Sequence, residues 1–401
     1  MNTQTRQRSA AAAIIDAQLA ARARAGARFP GPDAARLARL CHRLAERFAR
    51  GGRLIALASA PRSRSDARHI AVEFVHPVIV GKRALPALAL TGVAGELRER
   101  VGALARERDI VVAFGTDADG GAAAGALANA RARGCLTVAF EAGAGAEWEL
   151  APDEGDAGIR QELVETAYHL LWELVHVFFE HRGLLDGRER RSGHDAGAAS
   201  FLYPFLAEAE HDLDAVIEDV RQSVLMKAQE TATLRALTLT SGADALAAAA
   251  AAVRASFDAG GSLLALGNGG SATDAMDLVA DLAGRPAIDL TEDPSILTAI
   301  ANDIGAQAIF SRQVIAHGRP CDVLVALSTS GGSANVIDAL ATARGLGLAT
   351  IAMVGYDGGR IAAEGLADHV VVTPSQHIPR IQEAQASACH VLCALVEGSP
   401  A

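Results

Sequence analysis

Val323-Leu-Val-Ala-Leu-Ser-Thr-Ser-Gly-Gly-Ser-Ala-Asn-Val336 decides the fold of this 401-residue chain. Val323 to Leu327 is an uninterrupted apolar run, the pattern of a strand buried on both faces of a parallel sheet. The loop that follows holds Ser328, Thr329, Ser330 and Ser333, four hydroxyls in six residues. A helix is expected from about Ala334 to Arg344. A glycine-rich turn between a strand end and a helix start leaves several backbone N–H groups facing one space. The helix dipole adds partial positive charge there, so a phosphate is a natural ligand.

Outward from this stretch the pattern repeats. Leu263 to Leu266 is a short apolar strand followed by Gly267-Asn-Gly-Gly-Ser-Ala272, with helical spacing from Ala275 to Leu282. Further strands are expected at 287–290, 349–354 and 369–372, with a last helix beginning near Pro379. Strands alternating with helices indicate an α/β fold with a parallel sheet covered on both faces. The first half follows the same order, with strands at 54–57, 87–90, 110–114 and 136–140 and a helix over about 160–180. Asp109 and Asp322 occupy matching places, as do Gln161/His169 and Gln382/His390. The division read from this repeat is 10–182 for the first copy, 183–200 for a polar, Gly-containing linker and 201–399 for the second.

The copies have lost complementary parts. The first-half loops read Ala58-Ser-Ala-Pro-Arg-Ser63 and Gly115-Thr-Asp-Ala-Asp-Gly120. Two carboxylates in the latter repel phosphate, and Pro61 removes a donor from the former. Conversely, the first half has His69 and Glu73 where the second has Asp277 and Asp281. His69 and Glu73 lie one helical turn apart and can reach one ion, a mixed nitrogen and oxygen set suited to zinc. Gln161 and His169 are about 12 Å apart along a continuous helix, so both meet one ion only if it sits between extended side chains or the helix bends. Gly267-x-Gly-x-x-Ala272 also matches a dinucleotide fingerprint, with Asp289 near the place of its ribose-binding acid. That reading leaves the second hydroxyl loop and the Gln-x7-His helix unexplained.

The second half resembles the SIS (sugar isomerase) domain, and within it the phosphoheptose isomerases. The segments carrying the resemblance are Gly267 to Met276, Ala301-Asn-Asp-Ile-Gly305, Leu327 to Val336 and Arg380-Ile-Gln-Glu383 with His390. The resemblance implies two tandem SIS domains, each a three-layer α/β/α sandwich around a five-stranded, flavodoxin-like parallel sheet. It implies an aldose–ketose isomerase taking sedoheptulose 7-phosphate to D-glycero-D-manno-heptose 7-phosphate. Carried over residue by residue, Ser271, Ser328, Thr329, Ser330 and Ser333 bind phosphate, and Asn268, Asp303 and Gln382 contact the sugar. His69, Glu73, Gln161 and His169 are the implied ligands of a Zn²⁺ ion in the first half, and Glu73, His169 and His390 the implied proton-transfer groups. Family sites lie at subunit interfaces of homotetramers, so a homodimer of this tandem chain gives the equivalent assembly, and a fused pair can build a hybrid site. The bacterial replication-initiator-associating protein resembles the same scaffold, so a non-catalytic sugar-phosphate-binding regulator is the alternative.

Composition sets the outer limits. A net charge of −10 without a basic stripe excludes general nucleic-acid or anionic-membrane binding. Five cysteines without a CxxC pair, and no apolar run of roughly 18 residues, lead to the expectation of a reduced, soluble cytoplasmic protein.

Overall fold

The computed structural model describes residues 3–79, 82–115, 122–180, 184–185 and 212–398. Helices α1 (Thr3–Arg28) and α2 (Ala34–Ala49) lead into β1 (Leu54–Ala58), α3 (Pro61–Val75), β2 (Ala87–Thr91), α4 (Ala94–Leu104), β3 (Ile110–Ala113), α5 (Ala122–Ala132), β4 (Leu136–Ala139), β5 (Trp148–Glu149) and α6 (Ala157–Glu180). The second series runs α7 (Leu213–Ser241), α8 (Ala243–Asp258), β6 (Leu263–Leu266), α9 (Gly270–Asp281), β7 (Ala287–Asp289), α10 (Pro294–Asp303), α11 (Ser311–His317), β8 (Val323–Ser328), α12 (Ala334–Gly345), β9 (Ala349–Gly355), α13 (Gly359–Ala363), β10 (His369–Thr373) and α14 (Ile378–Glu397).

Both sheets are parallel and five-stranded, in the orders β2-β1-β3-β4-β5 and β10-β9-β8-β6-β7. Read from the same edge, these are one topology, with the order reversing at β1/β3 and at β6/β8. The uninterrupted apolar runs became the central strands: β1, β3, β4, β6 and β8 bury every residue, as strands with helices on both faces must. β2, β7 and β10 are edge or near-edge strands and are less buried.

The described residues form two compact units. One is drawn from Met1–Ala25, Asp156–Glu162 and Glu230–Ala401, the other from Gly26–Gly155 and Leu163–Gln229. These are called here the β6–β10 unit and the β1–β5 unit. The contact-based division and the sequence division 10–182/201–399 run along different residues, because α1 and the first turn of α6 count with the later sheet. Most of the expected linker 183–200 lies outside the described residues.

One device recurs at the foot of both sheets. Asp109, just before β3, accepts from the backbone N–H of Arg53 (2.9 Å) and Arg106 (3.0 Å). Asp322, just before β8, accepts from Ser262 and Arg319, both at 2.8 Å. Each carboxylate ties the start of a unit's third strand to the residue preceding its first. Charge-assisted bonds to two otherwise unsatisfied N–H groups make this a strong brace.

Asp109→Ala and Asp322→Ala are each expected to cost about 1–3 kcal/mol, because two part-buried backbone donors lose a charged acceptor. The chain has two tryptophans, Trp148 and Trp172, and both lie in the β1–β5 unit. Urea unfolding followed by tryptophan fluorescence should therefore report the Asp109 variant, and circular dichroism the Asp322 variant. A wild-type midpoint in either case would contradict the brace.

Candidate functional site

In the β6–β10 unit, the loops after β6 and β8 flank the point where strand order reverses, the position at which open α/β sheets bind ligands. Gly269 and Gly331 adopt left-handed backbone (φ 58° and 59°). A side chain on Gly331 would stand 2.2 Å from the Gly358 carbonyl oxygen, and one on Gly267 2.2 Å from that of Ser271. Only glycine permits these close approaches. Helices α9 and α12 start at the two loops, so both N-termini face the same end of the sheet. Ser328 and Ser271 are buried, Thr329 and Ser333 half-buried and Ser330 exposed. Ser328 Oγ lies 3.4 Å from Ser333 Oγ, and Ser330 Oγ accepts from Gly332 N–H. The loops are linked by a reciprocal amide pair, Asn268 donating to Asn335 at 3.0 Å and Asn335 to Asn268 at 2.9 Å. Asp303 ends the exposed α10 and accepts from Asn302. Gln382 Oε1 is buried without a hydrogen-bond partner, and its neighbour Ile381 packs at Gly355 beside the Thr329 carbonyl.

The same unit holds a buried charged network. Glu162 Oε1 accepts from His390 Nδ1 (2.8 Å), and both Glu162 oxygens accept from Arg22 Nε. Ser387 Oγ also donates to Glu162, and the Arg235 guanidinium donates to the Glu162 carbonyl at 2.7 Å. On its other side His390 Nε2 faces Asp281 Oδ2 at 3.3 Å. A carboxylate facing each nitrogen of an imidazole favours its charged, doubly protonated form. Burial opposes that charge, but the hydrogen bond to Glu162 and the fields of Asp281 and Glu162 outweigh it and raise the His390 pKa. For Glu162, burial pushes the pKa up, but the charges of Arg22, His390 and Arg235 hold it well below the carboxylate range. Asp277, at the other altered position, accepts from the Gln161 amide at 2.7 Å.

Gln161 was expected among the metal ligands with His69, Glu73 and His169. Its amide N–H donates to Asp277 at 2.7 Å, a bond made by the nitrogen and not by the amide oxygen that a metal would take. The residue standing one helical turn before His169 is Glu165.

In the β1–β5 unit, α3 and α6 bring four buried side chains together. His69, Glu165 and His169 each offer a ligand atom, all within 4.8 Å of one another. His69 Nε2 faces His169 Nε2 at 3.3 Å, and Glu73 Oε1 lies 3.7 Å from His69 Nε2. The Tyr168 hydroxyl meets His69 Nδ1 at 3.0 Å. Two ligands of a tetrahedral ion with metal–nitrogen bonds of about 2.0–2.1 Å stand about 3.3–3.4 Å apart. The imidazole pair already has that spacing. The donor set of two nitrogens and a carboxylate is a three-ligand set with room for a fourth position, and Tyr168 orients His69 from the far side. The two imidazoles with one carboxylate would fit a zinc-type ion; Glu73 Oε1 is near His69 Nε2, while Glu165 Oε1 lies 4.0 Å from His69 Nδ1. The first-half loop 115–120 lies outside the described residues beyond Gly115.

Sequence reading missed Glu165, although Glu165-x-x-x-His169 carried the signal at one-turn spacing. It also missed Asn335, visible only as part of a quoted motif, and Glu162, whose partners are remote in sequence.

A family profile described as the SIS domain matches residues 228–355, the span from the middle of α7 through both hydroxyl loops to the end of β9. The chain is 49% identical over 163 residues to the phosphoheptose isomerase of Rhodospirillum rubrum, covering 39% of this chain and 86% of that protein. It is 46% identical over 184 residues to the phosphoheptose isomerase of Citrifermentans bemidjiense, covering 43% and 95%. Among solved structures, the C-terminal domain of glucosamine-fructose-6-phosphate aminotransferase from Francisella tularensis matches 96% of this chain and 95% of its own. The TM-score there is 0.58 at 11% identity, a likeness of fold across both sheets.

The His390 network should show itself in stability. His390→Ala leaves Glu162 and Asp281 short of a cation, and is expected to cost about 3–5 kcal/mol in urea unfolding. Because the folded His390 pKa is raised, its contribution is complete below about pH 6.5 and fades as pH rises through the folded value. The depressed Glu162 pKa adds stability above the ordinary carboxylate range that is lost as pH falls through the lowered value. Wild type should thus lose thermal stability on the alkaline side and His390→Gln should not. Parallel profiles for the two would contradict a charged His390.

Proposed function

The chain belongs to the phosphoheptose isomerase family of SIS-domain proteins, with two tandem SIS domains, and on that footing we propose that it is an aldose–ketose isomerase acting on a sugar phosphate. The substrate proposed is sedoheptulose 7-phosphate and the product D-glycero-D-manno-heptose 7-phosphate. The observation that carries the reading is the buried His69–Glu73–Glu165–His169 cluster, since hydroxyl loops alone would account only for binding.

The isomerisation moves a proton between adjacent carbons and passes charge to the carbonyl oxygen, so it needs a base and stabilisation of an enediolate. His69, Glu165 and His169 would hold a divalent ion, which supplies Lewis-acid polarisation of the carbonyl and charge for the vicinal oxygens when bound. Glu73 takes and returns the carbon-bound proton. With Glu165 available as ligand, Glu73 need not serve both roles. Tyr168 holds His69 in the tautomer that presents Nε2. His390 was expected to move protons as well, but both of its nitrogens face carboxylates, which suits a fixed cation. In the β6–β10 unit, Ser271, Ser328, Thr329, Ser330 and Ser333 bind the phosphate, and Asn268, Asp303 and Gln382 contact the sugar.

One observation favours a second reading, a sugar-phosphate-binding regulator: Asp277 and Asp281 remove the metal-type pair from the unit that keeps the anion loops. A homodimer is proposed as the assembly. Helix α10 supports it, since it buries none of its residues, exposes Ile296 and is followed by the exposed Ile304. A cytoplasmic location is supported by five free cysteines, and no single described helix is long and apolar enough to cross a membrane.

Purified chain should carry about one equivalent of zinc by elemental analysis, and His69→Ala close to none, with turnover of sedoheptulose 7-phosphate lost alongside it. Glu73→Gln should keep the metal yet lower kcat by about 10²–10⁴-fold, the usual contribution of a positioned base. Ligand binding without metal or turnover in the wild type would leave the regulator reading standing. In the loops, Ser328→Ala should raise KM about tenfold with kcat nearly unchanged, because the phosphate is held alike in ground and transition states.

A further inference from the structure

We infer that Asn335 is a further ligand-positioning residue of the anion site, working as a unit with Asn268; this rests on the phosphate-site reading above. The hydrogen bonds fix which way both amides point. Val336 N–H can only donate, and it donates to Asn335 Oδ1 at 3.0 Å. The Asn268 atom that also meets Asn335 Oδ1 must then be its nitrogen, and the reciprocal bond follows. An amide offers two N–H donors and two acceptor sites. Asn335 spends both acceptor sites and one donor, which leaves one N–H. Asn268 spends one of each, which leaves one N–H and one acceptor site on an exposed side chain.

The pair thus spans the loops after β6 and β8 and presents two spare donors and one spare acceptor where strand order reverses. Inorganic phosphate needs acceptor-facing donors only, which the hydroxyls and backbone N–H groups of the loops supply. A sugar hydroxyl both donates and accepts, and the spare N–H and oxygen of Asn268 match it. Asn335 is what prevents the Asn268 amide from rotating. Its role is therefore selective: it governs binding of the sugar portion and leaves the phosphate portion alone.

The test compares full-length chains by calorimetric titration with inorganic phosphate and with sedoheptulose 7-phosphate. Asn335→Ala should bind phosphate within about twofold of wild type and the sugar phosphate about tenfold more weakly, the worth of roughly one hydrogen bond. Asn268→Ala should show the same split, and the double variant should be no weaker than Asn268→Ala alone. An unchanged thermal midpoint for Asn335→Ala guards against misfolding of the alanine variant. If wild type fails to bind phosphate, the site reading falls and this inference with it. If wild type binds both ligands and Asn335→Ala matches it, or loses phosphate and sugar phosphate equally, the role of Asn335 alone is overturned.

Discussion

Glu162 is a buried carboxylate shared by four helices, and the β6–β10 unit is arranged around it. Removing such a charge from water costs several kcal/mol unless its oxygens are fully hydrogen-bonded. The donors come from Arg22 on α1 and from Ser387 and His390 on α14, while Arg235 on α7 brings a second guanidinium to the backbone carbonyl and within 3.7 Å of the carboxylate. None is close to Glu162 in sequence. The first residues of the chain and a short piece of α6 therefore count with the last sheet, because the charge has to be met there. The arrangement also orients His390, whose second nitrogen is left to face Asp281.

The two units place different chemistry on corresponding helices of one scaffold. Both have the same strand order and the same aspartate brace, Asp109 or Asp322. In one unit His69 Nε2 and His169 Nε2 face each other at 3.3 Å, with two carboxylates adjacent. Two nitrogens turned toward one another call for a shared proton or a cation between them. In the other unit Asp277 and Asp281 stand in place of the His and Glu. There the electrostatics invert: the added carboxylate is met by the His390 imidazolium and the Gln161 amide, both supplied by the protein. Two positions one turn apart thus hold a His and a Glu in one unit and, in the other, two carboxylates met from within.

How much of this was legible follows from how local each signal is. The buried strands could be read because a parallel sheet demands uninterrupted apolar runs, as at Val323–Leu327 and Leu263–Leu266. The loops could be read because Gly331 and Gly267 have no alternative at their positions. Spacing along a single helix was informative where one turn separates the partners, as for His69 and Glu73. It was less informative at Gln161, eight residues from His169, and it did not bring out Glu165, one turn before His169 in the buried cluster. The Glu162 network was beyond reach, since Arg22, Arg235 and His390 lie far away along the chain and no periodicity links them. Asn335 lay in plain view, but only coordinates show that its oxygen is claimed twice.

The division of equipment between the units has a kinetic meaning. A phosphate gripped by glycine-loop N–H groups and serine hydroxyls is held before, during and after proton transfer, and such uniform binding raises affinity without accelerating the chemical step. Acceleration requires groups whose interactions strengthen as charge moves to the carbonyl oxygen. His390 is poorly suited, because both nitrogens face carboxylates and releasing either would strand a buried charge. On the proposed reading that group is Glu73, which stands 3.7 Å from His69 Nε2 beside the His69–Glu165–His169 cluster. On the proposed reading, the β6–β10 unit would hold the sugar phosphate and the β1–β5 unit would supply the proton-transfer groups.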